Sequence, residues 1–160
     1  MKENFMATEA YYSYATPAGH ITIGATNNVL THCAFGQVVF PGEHTPSALM
    51  NKASTEMQEY LAGKRTSFDI PLDPSGTEFQ CTVWAELCRI PYGQTRSYAE
   101  VACLIGHPRS ARAVGIACNR NPLPLFIPCH RVIASDGSLG GYAYGLRTKE
   151  FLLNLEHEHC

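Results

Sequence analysis

Two neighbouring side chains in the last quarter of this 160-residue chain could together carry out nucleophilic chemistry: the thiol of Cys129 and the imidazole of His130. The reactive form of cysteine is the thiolate, and a nearby imidazole favours it by taking the proton. Pro128 fixes the backbone just before the cysteine and so predicts a rigid turn or extended segment. The pair alone is a weak signal, because cysteine is also a common small apolar core residue.

A carboxylate further along the chain, Glu156, could complete this arrangement by orienting His130, as an acid orients the imidazole in nucleophilic triads. The spacing predicts a helix from about 147 to 156 with Phe151, Leu152 and Leu155 facing inward. At such a helix end a carboxylate gains nothing from the helix dipole. The alternative interpretation of Glu156 is a solvated residue at the end of a surface helix. A cysteine hydrolase is another alternative for the Cys–His pair, although hydrolases usually bring nucleophile and base from separate chain regions.

The elements before Cys129 predict a helical unit that could position it. Residues 97–100 read Ser-Tyr-Ala-Glu, a capping box that predicts a short helix to about residue 105. Gly106-His107-Pro108 predicts a tight turn, and a second helix follows from about 109 to 118. Arg109, Arg112 and Arg120 lie on or near its polar side. The pattern indicates a helix-turn-helix, and a generic helical hairpin fits the spacing equally well.

The charge distribution supports a nucleic-acid surface in the second half. Residues 1–73 hold four Lys and Arg against seven Asp and Glu, a balance of −3. Residues 89–149 hold eight Lys and Arg against two Asp and Glu, a balance of +6. A basic segment on an otherwise acidic chain could form an electrostatic footprint on DNA, or a solvated mixed surface.

The first half predicts a small α/β domain over residues 1–73. Alternating apolar residues with turn signals at 17–19 and 27–28 predict an antiparallel meander. Pro46 opens a predicted helix with Thr45 as its N-cap, Gly63 ends it, and residues 68–72 predict one more short strand. Residues 73–76 read Asp-Pro-Ser-Gly and mark the boundary to a mainly helical domain over 74–160. That domain opens with a second capping box, Thr77 to Gln80, and a helix with Phe79, Val83 and Leu87 on one face.

Composition excludes several classes of protein. No stretch of 18 apolar residues occurs, and the N-terminus carries no apolar leader segment, so we expect neither a membrane span nor secretion. Seven cysteines without regular spacing argue against a disulfide framework and favour a reducing, cytoplasmic compartment.

Taken together, these motifs resemble the O6-alkylguanine-DNA alkyltransferase (methylated-DNA–protein-cysteine methyltransferase) family. The most specific segment is Ile127 to Val132, Ile-Pro-Cys-His-Arg-Val. The resemblance also rests on these segments of the second half: Phe79 to Trp84, 91–93, 97–98, 111–115, 121–122, 140–145 and Glu156. The first half matches more loosely, through Thr16 to Gly19 and its strand pattern, and in that family it is a ribonuclease-H-like domain. The resemblance implies a winged-helix-like, helix-turn-helix second domain.

The resemblance implies a role for each reactive residue. Cys129 accepts the alkyl group from guanine O6 by in-line displacement, and His130 takes the thiol proton through a bridging water. Glu156 holds the imidazole, so that a thiolate–imidazolium pair forms. Tyr98 supplies a proton or hydrogen bond to guanine N3, and Asn121 braces the turn that carries the cysteine.

It also implies a substrate pocket and a DNA surface. Extrusion of the base is needed because guanine O6 is inaccessible to a sulfur inside the duplex. In the pocket the N–H of Ala143 meets O6, and the carbonyls of Cys129 and Val132 take the 2-amino group. The implied pocket residues are Val132, Tyr142, Ala143, Tyr144 and Pro128, and the implied DNA-binding residues are Arg112, Ala111, Arg109, Ser97 and Arg120. Arg112 is the finger that fills the stack after the base leaves.

The partner implied is double-stranded DNA carrying O6-alkylguanine, bound in the minor groove by a monomer that needs no cofactor. O4-alkylthymine is a further possible substrate. We predict no zinc site, because Thr26 and Thr31 stand where some members carry metal ligands. Tyr144 stands where some members have glycine and predicts a narrower pocket. Alkyltransferase-like proteins that bind lesions without repairing them lack the reactive cysteine, which this chain has. We expect a cytoplasmic protein, bound to the nucleoid in a prokaryote and nuclear in a eukaryote.

Overall fold

A four-stranded sheet forms the base of the N-terminal half in the computed structural model, which describes residues 8–160. The strands are β1 (Glu9–Thr16), β2 (Gly19–Thr26), β3 (Val29–Phe35) and β4 (Glu43–His44), in the order β3-β2-β1-β4. The first three make the predicted antiparallel meander, and β4 pairs in parallel with β1. Ile21, Ile23 and Leu30 are fully buried on one face, as the alternating pattern predicts.

Helix α1 (Ala48–Leu61) packs on this sheet through Met50, Ala53, Met57 and Tyr60, which recur at helical spacing and are fully buried. The predicted N-cap, Thr45, is wrong. Ser47 caps the helix instead, because its hydroxyl accepts a hydrogen bond from the Met50 N–H at 3.2 Å.

The strand predicted over residues 68–72 is also wrong. Leu72 forms one isolated bridge with Leu30, whose N–H donates to the Pro71 carbonyl at 2.9 Å. The Leu30 carbonyl accepts in return from the Asp73 N–H at 2.8 Å. Pro71 has no N–H, so the pairing does not extend back towards residue 68. The segment nevertheless lies beside β3 and contributes Ile70 to the buried core.

The C-terminal half is helical: α2 (Glu78–Leu87), α3 (Tyr98–Leu104), α4 (Ala111–Asn119) and α5 (Leu146–His159). Both predicted capping boxes are present, Thr77 with Gln80 and Ser97 with Glu100. The α4 helix begins two residues later than predicted, because the Ser110 N–H is bonded to the His107 carbonyl in the preceding turn. Arg109 therefore lies in that turn and not on the helix.

The last helix, α5, is longer than predicted and presents a different face. Leu152 and Leu155 are buried as expected, but Phe151 is 44% exposed. Lys149, Leu152 and Glu156 are spaced by three and four residues and share the buried face, from which Phe151 is turned by about 100–200°. Within residues 8–160, none of the helices has the length and apolar character that a membrane span requires.

A short parallel pair of strands, β5 (Arg96–Ser97) and β6 (Val132–Ile133), connects the two parts of the predicted site. β5 runs directly into α3 at Tyr98. β6 follows a single 3-10 turn over Cys129–Arg131. The pairing therefore brings Tyr98 close to Cys129.

Candidate active site

The side chain of Glu156 is the most heavily bonded polar group of the described structure and lies 1% exposed between the two halves. One carboxylate oxygen, Oε2, accepts from His130 Nε2 at 2.6 Å, the Tyr60 hydroxyl at 2.5 Å and Arg131 Nη2 at 3.0 Å. The other, Oε1, accepts from Arg131 Nε at 2.8 Å and the Gly93 N–H at 3.2 Å. Burial alone raises the pKa of this carboxyl, but the bonds from His130, Arg131 and Tyr60 outweigh burial and lower it to about 2. Glu156 is therefore an ionised acceptor at neutral pH.

This contact fixes the tautomer of His130, which is fully buried. Because the Glu156 carboxylate only accepts, His130 Nε2 must carry the hydrogen. The lone pair of the neutral ring then lies on Nδ1, which has no hydrogen-bond partner within residues 8–160. Burial lowers the pKa of His130 and the bond to Glu156 raises it, with burial the larger effect. The ring is thus held as a neutral base with its acceptor nitrogen unoccupied.

The thiol of Cys129 is 5% exposed, and burial raises its pKa to about 11. Two neighbours act in the opposite direction: a hydrogen bond from the Asn121 side chain and the positive charge of Lys149. Burial thus disfavours a thiolate alone and an imidazolium alone. Moving one proton from Cys129 to His130 creates both charges together without a net charge. Asn121 and Lys149 favour the thiolate and Glu156 favours the imidazolium, whereas Lys149 also acts against the imidazolium.

The Asn121 side chain also closes the turn that leads to Cys129. Its Nδ2 donates to the Ile127 carbonyl at 2.9 Å, and its Oδ1 accepts from the Leu123 N–H at 2.9 Å. Between them Leu125 is held at φ +74°, a left-handed conformation that bulky residues rarely adopt. Asn121 and the buried apolar neighbours hold this turn in place.

A buried lysine on α5, Lys149, organises the loop after the 3-10 turn. Its ammonium donates to the carbonyls of Val132 at 2.6 Å, Leu139 at 2.5 Å and Gly141 at 3.0 Å. It also lies 5.8 Å from the centre of the Tyr98 ring. The Lys149 ammonium therefore stabilises the loop after the 3-10 turn and places a positive charge near Cys129.

Tyr98 faces a surface cavity of about 500 Å³ at the N-terminal end of α3. The cavity is lined by Tyr98, Ala99, Ala111, Arg112, Gly115, Ile116, Asn119, Ala134, Ser135 and Gly141. Burial, followed by the nearby thiols of Cys118 and Cys129, raises the pKa of the Tyr98 hydroxyl. Gly140, at φ +71°, lets the loop approach, since a Cβ there would come within 2.8 Å of this hydroxyl. Tyr98 is thus a neutral donor between the cavity and the thiol.

The predicted DNA-binding residues fall into two groups. Arg109, Arg112 and Arg120 are exposed before, on and after α4, and Ala111 is half-buried at its start. Ser97 is buried, and its hydroxyl is used to cap α3 by accepting from the Glu100 N–H. The structure therefore does not place the Ser97 side chain on the arginine surface. The +6 charge of this segment also includes Arg131 and Lys149, which are both internal.

The predicted pocket residues are dispersed around Cys129. Tyr142, Ala143 and Tyr144 do not line the 500 Å³ cavity, and the Tyr144 ring packs on Phe35 of β3, 5.0 Å between centres. Pro128 lines a separate cavity of about 400 Å³ on the side of Arg131 and Tyr92.

The two carbonyls expected to receive the 2-amino group are already in use. The Val132 carbonyl accepts from Lys149, and the Cys129 carbonyl accepts from the Val132 N–H. Each keeps a second lone pair for a ligand.

Sequence reasoning missed three residues of this site. Lys149 could have been found, because it shares a helical face with Leu152 and Glu156. Arg131 was part of the motif but had no role, although its guanidinium binds both oxygens of Glu156 and the Ile90 carbonyl. Tyr60 lies 96 residues from its partner, and as one of several apolar-face residues of α1 it carries no distinguishing signal.

The part of the chain that the structure covers, residues 8–160, holds no group of three or more His, Cys, Asp or Glu side chains suited to a metal ion. Thr26 and Thr31 lie at the β2–β3 hairpin. All seven cysteines are free thiols.

Two family models match the chain, each over one half. Residues 10–74 match the ribonuclease-like domain, and residues 78–158 the DNA-binding domain, of 6-O-methylguanine DNA methyltransferase.

Similar proteins carry the same family name. A methylated-DNA–protein-cysteine methyltransferase of Methanosarcina barkeri is 46% identical over 149 residues, which cover 90% of this chain and 94% of the relative. The constitutive enzyme of that name from Bacillus subtilis is 44% identical over 157 residues, covering 91% and 94%. A crystal structure of Mycobacterium tuberculosis OGT in complex with DNA superposes with a TM-score of 0.88, at 40% identity and 94% coverage of both chains.

We expect Lys149→Met to weaken folding and the reactivity of Cys129 together. Three loop carbonyls lose their common donor, so the free energy of unfolding should fall by roughly 1–3 kcal/mol in urea titrations. Loss of the ammonium should raise the pKa of Cys129, so alkylation of the Cys129 peptide by iodoacetamide, followed by mass spectrometry, should require a higher pH. Lys64→Met, at an exposed lysine, is the control. An unchanged pH profile would show that the ammonium does not act on the thiol.

Proposed function

The chain belongs to the 6-O-methylguanine DNA methyltransferase family, and from that premise we propose that it repairs O6-alkylguanine in double-stranded DNA by transferring the alkyl group to Cys129. The observation that carries the proposal is the buried arrangement of Cys129, His130 and Glu156. Its imidazole has an unoccupied Nδ1 and belongs to the residue that directly follows the buried thiol, and the chain also carries an arginine-bearing helix.

The reaction consumes the thiol. As His130 Nδ1 takes the proton, directly or through a water, the sulfur attacks the alkyl carbon. The S–C bond forms as the C–O6 bond breaks, and the bonding electrons remain on the guanine. The proton taken by His130 finally balances the charge of the guanine, and the thioether has no easy route back to a thiolate. One protein molecule therefore repairs one lesion.

Tyr98 is suited to stabilise the leaving purine. Its raised pKa keeps the hydroxyl protonated, so it can donate to guanine N3 while negative charge develops there. The N–H of Ala143 is the proposed donor to O6, and the free lone pairs of the Cys129 and Val132 carbonyls are the proposed acceptors for the 2-amino group. The same groups suit O4-alkylthymine less well, because it has no 2-amino group.

The proposed DNA-binding mode places α4 in the minor groove. Arg112 is exposed on α4 at the rim of the cavity, where it could replace the extruded base in the stack. Arg109 and Arg120, at the two ends of the helix, are suited to phosphates. One site per chain is sufficient for this reaction, so we propose a monomer.

Incubation with a duplex that contains O6-methylguanine should add one methyl group to the Cys129 peptide, detected by mass spectrometry. Cys129→Ser should accept none, because a serine hydroxyl is far harder to deprotonate than a thiol. Cys88→Ser, at an exposed thiol, is the control and should react as the wild type. Tight binding of the lesion without methylation would instead indicate a sensor, and full methyl acceptance by Cys129→Ser would refute the assignment of the nucleophile.

Arg112→Ala should lower the rate of methyl transfer from duplex DNA by roughly tenfold or more, the factor that corresponds to about 1.4 kcal/mol. The reason is that the gap left by the extruded base is no longer filled. Transfer from the free base O6-methylguanine should be little changed, since no extrusion is required.

Arg89→Ala removes an exposed charge from the wall of the other cavity and serves as the matched control in single-turnover assays. Equal losses of Arg112→Ala on duplex and free base would contradict a role in extrusion.

A further inference from the structure

One side chain of the N-terminal half reaches into the group of residues around Cys129. Tyr60, at the end of α1, is 0% exposed. Its hydroxyl donates to Glu156 Oε2 at 2.5 Å and lies 3.3 Å from His130 Nε2. No other residue before position 74 within the described range bonds to the side chain of Glu156 or His130. The N-terminal domain therefore contacts the His130–Glu156 pair directly.

We propose that Tyr60 is a positioning residue for alkyl transfer, which limits how strongly Glu156 binds the imidazolium form of His130. The proposal rests on the function proposed above for Cys129 and His130. It gives the N-terminal half a part in the chemistry and not only in the fold.

Three donors share one oxygen of the Glu156 carboxylate. Tyr60, His130 and Arg131 all donate to Glu156 Oε2. Each donor withdraws negative charge from that oxygen, so each weakens it as an acceptor for the other two. His130 is therefore less basic with the Tyr60 hydroxyl bonded to Glu156 than it would be without that bond.

Other charged and titratable groups around Tyr60 and His130 also shift the pKa values of these two residues. Arg131, in the 3-10 turn, and Lys149, on α5, lower the pKa of His130, whereas Glu156 raises it. Burial, followed by Glu156, raises the pKa of Tyr60, so its hydroxyl stays a donor, and Tyr92 acts in the same direction. The neighbouring thiol, Cys129, is neutral at rest because its pKa is about 11.

A moderately basic His130 suits a proton that must be taken and then given up. Too weak a base leaves the thiol protonated, and too strong a base retains the proton that the departing guanine needs. The Tyr60 ring is fixed for this purpose between Phe68, 5.4 Å away, and Tyr92, 6.1 Å away, measured between ring centres. Its hydroxyl therefore has little freedom to leave Glu156.

The test compares Tyr60→Phe with Tyr92→Phe. Both remove one buried tyrosine hydroxyl, but that of Tyr92 has no hydrogen-bond partner in residues 8–160. Two pH titrations are measured: the ring nitrogens of His130 by ¹⁵N NMR on the free protein, and single-turnover methyl transfer. Tyr60→Phe should shift the His130 titration and the acidic limb of the rate profile to higher pH, and Tyr92→Phe should leave both unchanged.

A folded Tyr60→Phe protein with both titrations at their wild-type positions would overturn the proposal, since a purely structural role lowers stability without moving them. If Tyr60→Phe does not fold, 3-fluorotyrosine at position 60 keeps the shape and strengthens the donor. It should then shift the titration of His130 to lower pH, and an unshifted titration would overturn the proposal equally. The NMR titration needs no DNA, so a wild-type protein that accepts no methyl group would refute the proposed function and leave this inference separately testable.

Discussion

A single buried carboxylate, that of Glu156, imposes the constraint on which the site depends. Taking one carboxylate out of water costs several kcal/mol unless its lone pairs are satisfied. Here five N–H and O–H groups satisfy them, from α1, from the turn at Gly93 and from the 3-10 turn after Cys129. These three regions are far apart in the sequence, and the need to satisfy one charge brings them together.

The consequences of this constraint extend to the thiol. Because Glu156 is ionised, His130 must present a hydrogen to it on Nε2 and a lone pair on Nδ1. The guanidinium of Arg131 already neutralises the negative charge of Glu156. The positive charge of a protonated His130 would therefore be only partly compensated, so His130 is a weak base in the resting protein. At Cys129 itself, Asn121 and Lys149 favour the thiolate. In the proposed reaction, the sulfur that accepts the alkyl group thus develops its charge only during the transfer.

The sequence predicted the parts of this structure that depend on local patterns. Both capping boxes, the three-stranded meander and the order of the helices follow from signals within a few residues, and so does the Cys129–His130 motif. The errors occurred where tertiary contacts decide, as for Phe151, which faces solvent, and residues 68–72, where Pro71 interrupts the pairing. The role of Tyr60 was inaccessible because a buried aromatic at helical spacing carries no information about a partner 96 residues away. Lys149 is an intermediate case, since a lysine on a buried helical face is itself a signal.

The most direct test of this account is a titration of the Glu156 carboxyl by ¹³C NMR, with Glu156→Gln used to assign the resonance. The pKa of the folded state, about 2, lies below the ordinary 4.5, so the stabilisation from this group is present above pH 4.5 and is lost as the pH falls towards 2. We predict that the carboxyl stays ionised down to about pH 2, as long as the protein remains folded. A carboxyl that takes up its proton at or above pH 4.5 in the folded protein would contradict the account, because His130 would then have no fixed tautomer.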